Sequence, residues 1–343
     1  MQFNPSSDEK RNRYKRPTTV VARFQKADRA RAIWQLVNSY VPYLALIVAI
    51  YYTLQISFWL TLPLVVLASG FLIRIFIIFH DCGHGSFFKS QRVNRFWGRL
   101  GGVLSFTPYY AWTKNHKDHH ETSGNLDERG VGDVTTMTVK EYLAASKMTR
   151  FKYRFYRNPL AMLLLGPLLI LLIGNRFMLL GDDRKVNFSV WGTNLVILAI
   201  FAAVALTLGV KYYLLIQLPI IYFGLMFGIW LFYVQHQFDG VYWKRGAEWD
   251  FVEASLAGSS FYKLPKVLQW FSGSIGFHHV HHLNERVPNY RLEKCHKELV
   301  KLREVPVIDF RRSLKSLSYR LWDEEQGKLI GFGELRRLEK QPA

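Results

Sequence analysis

Histidine is spread unevenly along this chain. His80 and His84 fall in HDCGH, His116, His119 and His120 in HKDHH, and His278, His279, His281 and His282 in FHHVHH. His236 and His296 complete the eleven. Residues three or four apart share a helical face, so His80 and His84 lie one turn apart and His116 lines up with His119 and His120. His278, His281 and His282 repeat the same H-x-x-H-H spacing. Neutral imidazole is the commonest metal ligand, and a helical face carrying two or three can hold an ion. Histidines packed this densely repel one another when charged, so they need either a metal or wide solvent access. Taken alone, His236 at a membrane-helix edge reads as a hydrogen-bonded structural residue. His279 would point about 100° round the helix from His278, and His296 is expected at the surface. The nine remaining imidazoles exceed one tetrahedral zinc site, which makes two metals the economical reading. Asp81, Asp118, Asp127, Asp133 and Asp250 lie near the clusters in sequence and are candidates to orient imidazole N–H groups.

The segments between the clusters must place them at a common site. From Ala32 to Ile73 there is no charged side chain. Such a run, helical throughout, would reach about 63 Å, close to two crossings of a hydrocarbon core. It predicts two transmembrane helices broken near Thr53–Ser57. The stretch from Val190 to Val234 carries only Lys211 and predicts a second hairpin, about 190–210 and 212–234. If the clusters share one side of the membrane, an even number of crossings must separate the second from the third. The apolar segment 158–175, interrupted by Gly166–Pro167, is therefore expected to be re-entrant or interfacial, as is Leu100–Trp112 with its Pro108.

The net charge of +19 would suit a nucleic-acid binder, but its placement favours a membrane protein. Nine Lys/Arg lie in residues 1–31 and thirteen in 290–343. By the positive-inside rule both termini are cytoplasmic. The polar start does not read as a cleaved leader, so the first helix should remain as an anchor. Two cysteines, Cys82 and Cys295, are too few for a disulfide scaffold and fit a reducing compartment. The expected layout is an all-α integral membrane protein: a basic N-terminus (1–31), a hairpin (32–79), a cytoplasmic region with the first two clusters (80–189), a second hairpin (190–234), and a cytoplasmic region with the third cluster and a basic end (235–343).

HDCGH, HKDHH and HHVHH resemble the three histidine boxes of membrane fatty acid desaturases. The connecting text, HDCGHGSFF, NLDERGVGD, LFYVQHQFDGVYW, GSSFYKLPKVLQW and HHVHHLNERVPNY, is similar to bacterial acyl-lipid desaturases, especially the cold-induced delta-5 type. The resemblance runs from about residue 10 to Asp323. It implies about four membrane helices with a cytoplasmic helical cap, a non-haem di-iron site (Fe2+), and oxygen-dependent insertion of a cis double bond into the acyl chain of a membrane phospholipid. It also implies a place in the bacterial inner membrane. Carried over residue by residue, the metal-binding and catalytic ligands are His80, His84, His116, His119, His120, His278, His281 and His282, with His236 as the ligand outside the boxes. The extra His279 lets the third box be read in more than one frame. Zinc, which outcompetes ferrous iron at nitrogen sites, can replace it in overexpressed protein.

An unactivated C–H bond does not yield to acid–base chemistry near neutral pH, so such a site needs O₂ and a metal. The HPGG haem signature of a fused cytochrome b5 is missing, which implies a separate electron carrier; ferredoxin and flavodoxin are acidic and suit the basic face. That face suits anionic lipid headgroups equally. Trp112, Phe87 and Phe277 are candidate tunnel aromatics. A hydroxylase or ketolase of the same superfamily would use the same ligands. A transporter would carry its polar ligands at mid-membrane depth, and a zinc hydrolase would work without O₂.

Overall fold

The computed structural model describes residues 16–130, 132–177 and 183–340. The first fifteen residues of the expected basic N-terminus lie outside them. Four helices are long and apolar enough to cross a membrane: α1 (Arg29–Leu54), α2 (Phe58–Gly83), α5 (Arg184–Thr207) and α6 (Val210–His236). Among the shorter helices between α2 and α5 are α3 (Gln91–Leu104) and α4 (Tyr109–Thr122). The third histidine cluster lies on α7 (His278–Leu283), which is followed by α8 (Asn289–Leu299). The all-α membrane architecture expected from the sequence is the one observed.

Local features start the first span and turn both hairpins. Asp28 accepts from the Arg31 amide and caps α1, while its own N–H donates to Tyr290. The first hairpin turns at Gln55–Ser57, inside the expected break. The second turns at Leu208–Gly209, where Gly209 has φ +99°, a backbone that favours glycine. The spans run further than absence of charge suggested. α2 continues past Arg74 to Gly83, because Arg74 bonds Asn38 and Ser39 of α1 and the Trp270 carbonyl, with its guanidinium 3.9 Å from the Trp270 ring. A charge so partnered tolerates membrane depth.

α2 is the centre of the bundle. It packs on α1, α3 and α6, and Ser69 donates to the Ile220 carbonyl of α6. The buried core combines Leu36, Tyr43, Ile75, Phe79 and Ile220. α5 is its opposite, presenting Phe188, Leu195, Leu198 and Leu206 outward, as a lipid-facing helix does. The segment expected to be re-entrant is a bent pair, Lys147–Tyr156 and Ala161–Gly174, meeting at 66°. A bend of this size at a short break is what a broken span or a re-entrant loop has.

The cap also carries short strands too brief to read from sequence. Met137–Thr138 pairs in parallel with Leu321–Asp323, which pairs antiparallel with Lys328–Ile330. Phe261–Tyr262 pairs in parallel with Val307–Ile308. They tie the C-terminal segment onto the loops that hold the histidines.

Candidate metal centre

Four elements bring histidine to one end of the bundle. His80 is in the last turn of α2 and His84 is its C-cap; His116, His119 and His120 line α4; His236 ends α6; and α7 supplies the rest. α2 and α6 thus end together, at the level where α4 and α7 lie.

The side chains form two groups. His80, His84, His116, His120 and His281 offer ring nitrogens within 4.8 Å of one another, and so do His119, His236, His278 and His282. Neighbours in sequence are split between them: His119 from His120, and His281 from His282. The groups touch where His120 and His282 stack at 4.3 Å. Nε2 atoms converge, at 3.2 Å for His116 and His120, 3.3 Å for His119 and His236, 2.9 Å for His236 and His278, and 3.1 Å for His278 and His282.

Hydrogen bonds made by the other ring nitrogen explain why the lone pairs point inward. His80 Nδ1 is 3.0 Å from Asp81, whose second oxygen accepts from the Asn289 amide (2.6 Å) and side chain (2.9 Å). His84 Nδ1 is 3.0 Å from Glu285, and His236 Nδ1 is 3.4 Å from the Gly258 carbonyl. With the proton on Nδ1, Nε2 is left as an acceptor aimed into the site. The Nε2 of His84 and both ring nitrogens of His281 are buried without a partner. Such groups are costly unless something else satisfies them. Burial, then repulsion by neighbouring imidazoles, holds His116, His119, His120, His278, His281 and His282 below the ordinary histidine range. They are neutral and ready to bind. Nine imidazole nitrogen donors fit transition metals such as iron or zinc, and not the oxygen-seeking magnesium or calcium.

All nine histidines picked out from spacing and resemblance are among those brought together. His279 is turned away: its Nε2 lies 3.0 Å from His296 Nδ1, beside the stacked rings of Phe261 and Phe277. Burial pushes the His279 imidazole down to about 3. His296 is therefore a half-buried partner of His279 and not the surface residue expected.

Of the five aspartates, Asp81 meets an imidazole. Asp127 bonds Arg245 and the Gly246 amide, Asp250 caps Phe251–Ala257, and Asp133 bonds the Val134 amide. Asp118 lends its backbone carbonyl to Thr122. Glu285 and Asn289 escaped the sequence reading, although both stand in HHVHHLNERVPNY, three and seven residues beyond His282. Trp112 stacks on His116 at 4.3 Å, whereas Phe87 packs on Tyr290 and Phe277 on His296. A polar cavity of about 400 Å³ reaches His84 between Gln25, Gly85, Ser86, Gln91 and Arg286.

The profile of the fatty acid desaturase family matches residues 57–306, a span that holds all nine histidines. The chain belongs to the fatty acid desaturase family. A fatty acid desaturase of Bacillus subtilis is 47% identical over 327 residues, covering 95% of this chain and 93% of that one. An sn-1 acyl-lipid omega-3 desaturase (ferredoxin) of Synechocystis is 26% identical, covering 69% and 67%. An sn-1 oleoyl-lipid 12-desaturase of Picosynechococcus is 29% identical, covering 74% of each chain. The histidines gather where the apolar helices α2 and α6 end together.

Proposed function

We propose that this desaturase introduces a cis double bond into the acyl chain of a membrane phospholipid, at two iron ions held by the nine histidines. The carrying observation is the pair of adjacent, converging histidine groups. His80, His84, His116, His120 and His281 would hold one ion, and His119, His236, His278 and His282 the other. When bound, iron supplies the oxidant that O₂ alone does not provide. Two electrons from a carrier and two from the C–H bonds, with the two protons those bonds release and two from solvent, would reduce O₂ to two waters.

The protein's own residues orient and exclude. Asp81, anchored by Asn289, and Glu285 fix the tautomers of His80 and His84. Trp112 covers the face of His116. The printed names of the two cyanobacterial relatives support a lipid-linked substrate, and one of them supports ferredoxin as the donor. Flavodoxin fits the same basic face. The placement of cationic residues at both ends supports a bacterial inner-membrane protein with its termini and site in the cytoplasm, and the layout by residue range given above.

The test is expression in a bacterium lacking unsaturated fatty acids, with mass spectrometry of its lipids. Loss of two hydrogens is the expected change; gain of one oxygen would make the protein a hydroxylase. A pulse of labelled fatty acid followed by a block on lipid synthesis identifies the acyl carrier. Desaturation that continues within phospholipid supports the lipid substrate, and desaturation that stops with synthesis supports a thioester.

A further inference from the structure

We infer that α3 carries a binding groove for one anionic phospholipid, with its phosphate on Arg92, Arg95 and Arg99 and an acyl chain along Phe96, Leu100 and Val103. These six residues line a cavity of about 370 Å³. The three guanidiniums are exposed, and none forms an ion pair among the described residues; Arg99 reaches the Tyr110 hydroxyl at 3.4 Å. Phe96 is 62% exposed in a helix that belongs to a membrane protein.

The face is held open by how the other side of α3 is packed. Asn94 is fully buried and bonds the backbone N–H and C=O of Phe88, both at 2.8 Å. A Cβ on Gly98 would stand 2.2 Å from the Tyr109 ring, and one on Gly101 3.0 Å from Phe79. Glycine thus lets α3 lie tight against its neighbours, which fixes the arginine and aromatic side outward.

The order of residues follows membrane depth. α3 starts level with the site end of α2, where Gln91 donates to the Gly85 carbonyl at 3.1 Å. Ten residues later, Gly101 lies over the Ile75 carbonyl, eight residues back from the end of α2. At 1.5 Å per residue that is about 12 Å deeper. Arg92 and Arg95 therefore precede Phe96, Leu100 and Val103 on the way inward, with Arg99 beside the upper part of the chain, as a phosphate precedes its chain. Guanidinium forks suit phosphate oxygens, and the unpaired positive charge favours a lipid of net negative charge over a zwitterion.

The inference goes beyond desaturation, since a protein that binds this lipid yet leaves membrane lipids saturated would fail the one reading and not the other. Native mass spectrometry of the full chain in nonionic detergent tests it, with equal amounts of dioleoylphosphatidylglycerol and dioleoylphosphatidylcholine. Wild type should retain one phosphatidylglycerol, favoured by roughly tenfold or more. Arg92→Gln/Arg95→Gln/Arg99→Gln should bring the two lipids to parity. Leu100→Trp, which fills the inner end, should reduce retention of both lipids and leave their ratio as in wild type. Should the triple variant lose its thermal transition, Arg95→Gln alone decides, with an expected drop in preference of about threefold to fivefold. Equal retention of the two lipids by wild type, or an undiminished preference in the arginine variants, overturns the groove. So does capture of ferredoxin through these arginines with no lipid preference.

Discussion

The two histidine groups are built from the same side chain and share α4 and α7, the first adding α2 and the second α6, yet they sit in different surroundings. The five-histidine group is braced by carboxylates, Asp81 on His80 and Glu285 on His84, and a polar cavity opens onto His84. The four-histidine group is buried throughout; His236 leans on a neutral carbonyl, and the Nδ1 atoms of His119 and His278 have no partner. An ion in the first group has negative charge nearby and a route to water. One in the second has neither close at hand. The difference teaches that equal ligands do not make equal sites, because the atoms behind them set the charge and the access.

The strongest way to break the comparison is to remove one ligand from each group. His281→Ala and His119→Ala should each lower bound metal from two ions to about one per chain and abolish desaturation, while leaving membrane insertion intact. Metal analysis of purified protein checks this. If either substitution emptied both groups, the groups would be one cooperative unit and the contrast would fall. Overexpressed wild type, loaded with zinc in place of iron, should carry two ions and be inactive.

A smaller effect separates the two carboxylates. Asp81→Asn removes a buried acceptor held by two bonds from Asn289, whereas Glu285 is 38% exposed. Loss of such a partner typically costs 10- to 100-fold in metal affinity or activity. Asp81→Asn should lie near the upper end and Glu285→Gln near the lower. A competition titration against a chelator measures both, and the reverse order would mean that exposure of the partner does not govern its strength.

The sequence showed the ligands more clearly than their support. H-x-x-H-H spacing works at a distance of one helical turn, so His116, His119 and His120 are legible as a set. Their division between two groups is not, because it depends on how α7 docks against α4, about 160 residues away in sequence. Asp81 was legible because it adjoins His80; Glu285 and Asn289 act across the fold and give no local sign. The spans were legible as uncharged runs. Their ends were not, because Arg74 and Asp81 look like terminators until their partners are seen. His279 and His296 could not be paired from sequence at all, being seventeen residues apart on different helices.

A backbone substitution reaches the four-histidine group alone. Gly132, in the NLDERGVGD stretch, has φ +63°, and a Cβ there would stand 2.6 Å from the Asn115 carbonyl and 3.0 Å from His119 Cβ. Gly132→Ala should therefore move His119, with strain of about 1–3 kcal/mol at the glycine itself, and weaken the second ion without touching the first. The expected result is partial loss of one metal and of activity, with the chelator titration resolving one weakened and one unchanged ion.

The smallest effect belongs to the histidine that neighbours both groups in sequence and joins neither. His279 bonds His296 under the Phe261 and Phe277 rings, so His279→Ala opens a gap in that cluster and strands one imidazole nitrogen. Lost packing and an unmet polar atom cost about 1–3 kcal/mol of stability. Metal content should stay at two ions and activity should persist at least in part. His296→Ala, at a half-buried position, should do less. A lowered thermal midpoint with both ions retained is the outcome that separates a buttress from a ligand. A fall to one ion in His279→Ala, with His278→Ala still loaded and active, would shift the frame of the third box by one residue and exchange the two histidines between core and cluster.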